Sequence, residues 1–132
     1  MLNAVAAFAL GCDMINVGRE AMMAIGCIQA QECHTGHCPT GVATHSRWLT
    51  HGLDPTSKAV RVANYVTHLR YELLRLAQAT GVPHPALIPQ DAVEIALGSG
   101  KTSTLTDQYD LPPTSDRLHA SDLTTLEGPL SE

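Results

Sequence analysis

Aromatic residues, positive charge and long apolar runs are all scarce in this sequence of 132 residues. Phe, Trp and Tyr make up 4% of the chain, so a core must come from aliphatic residues, which favour helices over an all-β sandwich. The 8 Lys and Arg against 13 Asp and Glu give a net charge of -5, which excludes a broad nucleic-acid-binding surface. No apolar stretch is long enough to cross a bilayer, and no basic segment precedes the first one as in a secretory signal. We therefore predict a mainly helical, cytoplasmic protein without membrane or nucleic-acid partners.

The first part of the sequence alternates helical and extended patterns with very short connections. Leu2 to Leu10 is rich in Ala and predicts a helix that ends at Gly11. Met14 to Val17 predicts a short β-strand, and a second helix is expected from Glu20 to Ile25. This order is typical of parallel α/β folds, in which a covering helix follows each strand. Because one strand makes no sheet, we expect the chain to be a C-terminal fragment of a larger α/β protein.

The longest helix is predicted over about residues 55–80. Asp54 supplies an N-cap and Pro55 the first helical position, while Gly81 and Pro83 end the helix. Apolar residues recur along it at steps of three and four, and we expect this stripe to pack on the protein itself. The stripe consists of Ala59, Val62, Val66, Leu69, Leu73 and Leu76.

The C-terminal third carries weaker patterns. A short helix is predicted from about Ala92 to Leu97. From residue 98 to residue 132, Thr, Ser, Asp, Gly and Pro dominate, and apolar groups are too few to offset the entropy of ordering the chain. We therefore divide the sequence into a folded part, residues 1–97, and a flexible tail, residues 98–132.

An irregular loop between Gly26 and Ala43 holds three of the four cysteines. Cys27, Cys33 and Cys38 are separated by five and four residues. Thiolates so close together on a glycine-containing loop can converge on one metal centre, and an iron-sulfur cluster needs such ligands. Three cysteines without a nearby fourth favour a cluster of three irons over one of four.

A zinc site is the alternative metal centre. The three cysteines with His34 or His37 would supply a tetrahedral ligand set that zinc accepts, and the chain would then be a zinc-stabilised, non-catalytic interaction module. Common zinc modules bring their ligands in two close pairs, whereas these thiols are almost evenly spaced. The spacing therefore favours iron-sulfur and leaves zinc open.

Three stretches of the sequence carry a specific family resemblance. They are GCDMINVGR at residues 11–19, MAIGC at residues 23–27 and CHTGHCPTGVAT at residues 33–44. Together they are similar to the C-terminal end of the FMN-binding synthase domain of glutamate synthases, and the similarity extends to about Leu97. The resemblance implies a TIM (β/α)8 barrel, of which Met14 to Val17 would be the last strand. It also implies that Cys27, Cys33 and Cys38 hold a 3Fe-4S cluster.

The resemblance implies that the turn after the predicted strand Met14 to Val17 binds phosphate. Barrels often bind phosphate around their last two strands, where glycine lets backbone amides approach the anion. Gly18 and Arg19 open this turn and are the candidate residues for binding the FMN phosphate.

The resemblance further implies a redox reaction. In the family, ammonia and 2-oxoglutarate form 2-iminoglutarate, which reduced FMN converts to L-glutamate with electrons that arrive through the cluster. The implied partners are the remainder of the barrel or full-length synthase, 2-oxoglutarate, and an electron donor that is either ferredoxin or an NAD(P)H-linked subunit. No catalytic acid or base is assigned, and we expect the chain by itself to be inactive.

Overall fold

The computed structural model describes residues 2–112. The helices are α1 (Leu2–Ala9), α2 (Arg19–Ala24), α3 (Pro55–Ala79) and α4 (Leu105–Tyr109), and the strands are β1 (Glu94–Gly98) and β2 (Lys101–Thr104). Short 3-10 helices lie at Cys33–Thr35, Leu49–Gly52, Pro85–Leu87 and Gln90–Ala92. The chain divides into two compact units, one of Met1–Ile15 with Arg70–Glu132 and the other of Asn16–Leu69. Within residues 2–112, no helix combines the length and the apolar character of a membrane span.

The unit of Met1–Ile15 and Arg70–Glu132 contains most of the buried apolar side chains among the described residues. These are Val5, Ala9, Leu73, Ala77, Ile88 and Leu105. Gly11, with a φ of 94°, ends α1 in the left-handed conformation, and the Cys12 amide donates to the Ala7 carbonyl over 3.0 Å. The strands β1 and β2 form an antiparallel pair, and the amide of Leu105 bonds to the carbonyl of Val93.

The unit of Asn16–Leu69 is built from α2, the cysteine loop and the first part of α3. The Asp54 carboxylate accepts a hydrogen bond from the Thr56 amide over 3.1 Å and so caps α3 as predicted. The Tyr65 hydroxyl donates to the Glu20 carboxylate, which ties α3 to α2. Burial and the adjacent Glu20 raise the pKa of Tyr65 to about 12, so the phenol keeps its proton for this bond.

The predicted helices α1, α2 and α3 are present, but the strand predicted between α1 and α2 is not. Residues 14–17 have no regular structure, and Met14 is 87% exposed. A strand requires hydrogen-bonding neighbours, and among the described residues β1 and β2 pair with each other and with nothing else. The strand prediction for Met14 to Val17 is therefore wrong for this structure.

The predictions for the C-terminal third are also wrong over residues 92–112. The helix expected at Ala92 to Leu97 is instead a 3-10 turn followed by β1. Ser99 and Gly100 both have positive φ, 53° and 76°, which makes a two-residue hairpin turn, and this local pairing orders residues that we assigned to a tail. The helix α4 follows, capped by Thr104, whose hydroxyl accepts from the Asp107 amide over 3.1 Å. The remainder of the predicted tail, residues 113–132, lies outside the described residues.

Candidate functional site

The five residues predicted to form the site all belong to the unit of Asn16–Leu69. Cys27 lies just beyond the end of α2, where Gly26 turns the chain with a φ of 102° and the Cys27 amide donates to the Met22 carbonyl over 3.0 Å. Cys33 begins a 3-10 turn that ends at Gly36, whose φ is 74°. The end of α2 and a tight turn thus fix where two of the three thiols leave the backbone.

Cys38 is the buried thiol of the loop, with 7% of its surface exposed. The Thr40 hydroxyl lies 3.3 Å from its sulfur, and the backbone amides of Ala43, Thr40 and Val42 are near enough to stabilise negative charge on it. The Thr40 hydroxyl first, and then these amides, lower the pKa of the Cys38 thiol to about 7, although burial acts in the opposite direction. Cys38 is therefore prepared to exist as a thiolate, the form that binds a metal.

The turn around Cys38 depends on two glycines. Gly41 has a φ of 78°, and a Cβ there would overlap the carbonyl oxygen of Leu49 and lie 3.1 Å from the amide nitrogen of Leu53. A Cβ on Gly52 would lie 3.1 Å from the carbonyl oxygen of Thr40. Because Gly41 has no room for a side chain and a Cβ on Gly52 would be tight, the turn packs backbone to backbone against the 3-10 helix Leu49–Gly52.

Cys27 has a different environment. Its sulfur accepts a hydrogen bond from the Gln29 amide over 3.4 Å. Gln29 and Gln31 have φ values of 57° and 60°, which are unusual for residues with a side chain and costly by about 1 kcal/mol or more each. This backbone conformation between Cys27 and Cys33 is a form of local strain that is common at binding sites.

Two cations from α3 approach the same end of the loop. A Cβ built on Gly26 would lie 3.1 Å from the Lys58 Nζ and 3.8 Å from the Arg61 Nη1. Positive charge beside the carboxyl end of α2 complements the partial negative charge of the helix terminus. Lys58 and Arg61 were not predicted as part of the site, because they lie far from Cys27 along the chain and come close only in the fold.

The three thiols share one loop, but the structure does not gather them. Within the described part of the chain, no three His, Cys, Asp or Glu side chains form a group that could hold a metal ion. Cys33, His34 and His37 are all exposed. The chemistry of the donors does fit an iron-sulfur cluster, since such clusters take thiolate ligands, the Cys27 sulfur accepts a backbone amide and the Cys38 sulfur lies beside a hydroxyl. The assignment of Cys27, Cys33 and Cys38 as ligands therefore stays a prediction that requires the loop to close.

Gly18 and Arg19 lie where α2 begins. Gly18 provides no side-chain cap for the helix, and a Cβ built there would have no neighbour within 4 Å. Arg19 is exposed. The open space at Gly18 and the exposed guanidinium of Arg19 would accommodate a phosphate group, as the sequence predicts for the FMN phosphate.

The contact of the Thr40 hydroxyl with the Cys38 sulfur was not predicted from the sequence. Thr40 follows Cys38 by two residues and precedes Gly41, a spacing at which a Thr hydroxyl often bonds back within its own turn. That local pattern could have indicated the contact, although threonine in a loop usually faces water.

The site defines the chain as a protein with a loop of three cysteines after the end of a helix, in which the Cys27 sulfur accepts a backbone amide and the Cys38 sulfur is buried beside a hydroxyl. Residues 2–83 match the family described as a conserved region in glutamate synthase. The matched residues make up more than half of the chain and include the whole cysteine loop together with Gly18 and Arg19. The chain therefore belongs to the glutamate synthase family, as the sequence resemblance predicted.

Individual relatives agree with this assignment. The chain is 47% identical to the glutamate synthase large subunit-like protein YerD of Bacillus subtilis over 79 residues, which are 60% of this chain and 15% of that protein. It is 41% identical to the archaeal glutamate synthase (NADPH) of Methanocaldococcus jannaschii over 76 residues, 58% of this chain and 15% of that protein. Identity to the chloroplastic ferredoxin-dependent glutamate synthase of Oryza sativa subsp. japonica is 46% over 48 residues, 36% of this chain and 3% of that protein.

These matches cover short parts of long proteins. The chain spans about 15% of the length of the first two relatives. No solved structure matches the chain.

Proposed function

We propose that the chain is the C-terminal part of the FMN-binding TIM barrel of a glutamate synthase-like oxidoreductase, and that Cys27, Cys33 and Cys38 ligate a 3Fe-4S cluster. The observation that carries this proposal is the hydrogen bonding of two loop sulfurs: the Cys27 sulfur accepts from the Gln29 amide, and the Thr40 hydroxyl lies against the buried Cys38 sulfur, whose pKa is lowered to about 7. Amide donors around ligand sulfurs are typical of iron-sulfur sites, because they stabilise the negative charge of the cluster. Membership of the glutamate synthase family supports the same ligand set.

The reaction that we propose for the complete enzyme is the reduction of 2-iminoglutarate, formed from 2-oxoglutarate and ammonia, to L-glutamate. When bound, FMN would supply hydride transfer and the cluster one-electron transfer. The contribution of this chain is to hold the cofactors: the three cysteines bind the cluster, and Gly18 with Arg19 binds the FMN phosphate. The rest of the barrel would have to supply the remaining flavin contacts and the substrate site.

The electron donor is proposed from the relatives. One of them is named as an NADPH enzyme and another as a ferredoxin-dependent enzyme. We therefore propose either ferredoxin or an NAD(P)H-linked subunit as the partner, together with the remainder of the synthase.

Anaerobic reconstitution of the full chain with ferrous iron and sulfide tests the ligand assignment. We expect visible absorption and an EPR signal that Cys33→Ser abolishes. The matched control is Cys12→Ser, which removes an exposed thiol outside the loop and should leave the signal intact. A colourless protein that instead takes up one equivalent of zinc would contradict the proposal and support the zinc-stabilised interaction module.

A further inference from the structure

The Thr40 hydroxyl is placed against the buried sulfur of the cysteine loop. Its Oγ1 is 3.3 Å from the Cys38 Sγ, within the range of a hydrogen bond to sulfur. The backbone on both sides of Thr40 is fixed, since the Gly41 amide donates to the Cys38 carbonyl over 3.2 Å and Gly52 packs against the Thr40 carbonyl. The hydroxyl is therefore carried by a turn with little freedom to move away.

The other two loop cysteines show no such contact within residues 2–112. The sulfur of Cys27 accepts a backbone amide, that of Gln29. Near Cys33, the hydroxyl of Thr35 donates to the Glu32 carbonyl over 2.8 Å instead. In the described part of the chain, the Thr40 hydroxyl is thus the one side-chain hydroxyl within hydrogen-bond distance of a loop sulfur.

The direction of this hydrogen bond follows from the chemistry of a ligand thiolate. A cysteine that binds iron has no proton, so its sulfur can only accept, and the Thr40 hydroxyl must be the donor. Reduction adds one electron and increases the negative charge on the cluster and its sulfur ligands, while no covalent bond forms or breaks. A donor that stabilises this charge makes reduction more favourable, and burial of Cys38 reduces the competition from water.

We propose that Thr40 is a positioning residue that raises the reduction potential of the cluster through a hydrogen bond from its hydroxyl to the Cys38 sulfur. This inference rests on the proposed function, because it requires the cluster to be bound by the three cysteines. It adds Thr40, a residue outside the ligand set, whose hydroxyl raises the reduction potential of the cluster.

An EPR-monitored redox titration of the full chain, reconstituted anaerobically with ferrous iron and sulfide and reduced with dithionite, tests the proposal. Thr40→Val keeps the shape of the side chain but removes the hydroxyl, and we expect its midpoint potential to shift to more negative values. Thr40→Ser keeps a hydroxyl and should stay close to the wild type. Thr50→Val is the matched control, because the Thr50 hydroxyl bonds to the Arg47 carbonyl over 2.9 Å.

The outcomes separate the two proposals. If Thr40→Val loads iron normally and keeps the wild-type potential, the role of Thr40 is overturned while the ligand assignment stands. If the wild-type chain forms no cluster, the ligand assignment fails and the role of Thr40 fails with it. Should Thr40→Val not load, Thr40→Ala replaces it, and a potential equal to that of Thr40→Ser would again overturn the inference.

Discussion

Gly36 and Gly41 lie in the same loop with similar positive φ values, 74° and 78°, but their surroundings differ. A side chain on Gly36 would meet nothing within 4 Å, whereas one on Gly41 would overlap the Leu49 carbonyl oxygen. We expect Gly36→Ala to lower the free energy of unfolding by about 1 kcal/mol, from backbone strain alone. Gly41→Ala adds the cost of overpacking and should lose about 2–5 kcal/mol.

Urea unfolding followed by circular dichroism measures both glycine variants. Gly36→Ala serves as the control for strain, so the difference between the two variants reports the contact between the turn and the 3-10 helix Leu49–Gly52. Equal losses in the two variants would show that Gly41 does not pack as the structure describes.

The thiol of Cys38 gives a second prediction, for the metal-free chain. Hydrogen bonds from Thr40 and the following amides lower its pKa to about 7, so the thiolate should form at lower pH than in an ordinary cysteine. In a variant with the other three cysteines replaced by Ser, the ultraviolet absorbance of the thiolate should rise with a midpoint near pH 7. Thr40→Val should move this midpoint upward.

The control for the Cys38 titration is Thr50→Val in the same three-Ser background, which should leave the midpoint unchanged. A midpoint of roughly 8.5, the value of a free thiol, would contradict the hydrogen bonding described for Cys38.

At the scale of elements, local sequence predicted α1, α2 and α3 but failed over residues 92–109 and where structure depends on pairing. The helix α3 begins at the proline that follows Asp54 and ends two residues before Gly81, so capping residues alone located it. The stretch Met14 to Val17 has strand-forming residues, but a strand also needs a neighbour, and no local pattern supplies one. The opposite error occurred at β1, where Ser99 and Gly100 form a turn that brings two weak strands together.

The hydrogen bond between Tyr65 on α3 and Glu20 on α2 leads to a prediction about the elements. Tyr65→Phe removes the hydroxyl that donates to Glu20, and we expect a loss of about 0.5–1.5 kcal/mol in the free energy of unfolding. The pKa of Tyr65 is raised from about 10 to about 12, so its contribution is fully present below pH 10 and is lost as the pH rises through 12. The difference from the wild type should therefore be the same at about pH 7 and about pH 9.

Urea unfolding at the two pH values measures this contribution. Tyr71→Phe is the matched control, since Tyr71 also lies on α3, is 56% exposed and should change the unfolding free energy by less than about 0.5 kcal/mol. Equal effects of the two tyrosine variants would mean that the bond to Glu20 contributes nothing.

At the scale of the whole chain, spacing located the candidate ligands but could not say how they are arranged. The three cysteines fall in one loop as predicted, whereas the contact of Thr40 with Cys38 and the approach of Lys58 to Gly26 depend on how separate segments pack. The separation of the three thiols likewise depends on the loop backbone between them. Gln29 and Gln31 have positive φ values there, and no sequence pattern predicts them.

The two units of the chain should respond differently to iron. The large side chains that are fully buried, Ile88 and Leu105, both belong to the unit of Met1–Ile15 and Arg70–Glu132. In the unit of Asn16–Leu69, α2 has no buried residue, and the buried positions are Cys38 and Gly41. Because so little apolar surface is buried in this unit, its stability should depend more than that of the other unit on the closure of its cysteine loop around a ligand.

Hydrogen exchange measured by mass spectrometry, with and without anaerobic loading of iron and sulfide, tests this dependence. Binding to the native state at 100 times the dissociation constant stabilises it by about 2.7 kcal/mol, so exchange should slow in residues 16–69, most strongly in the cysteine loop. Residues 70–112 should change little, and Cys33→Ser should remove the effect. If exchange slowed equally in both units, the cluster would be stabilising the chain through contacts other than the three cysteines.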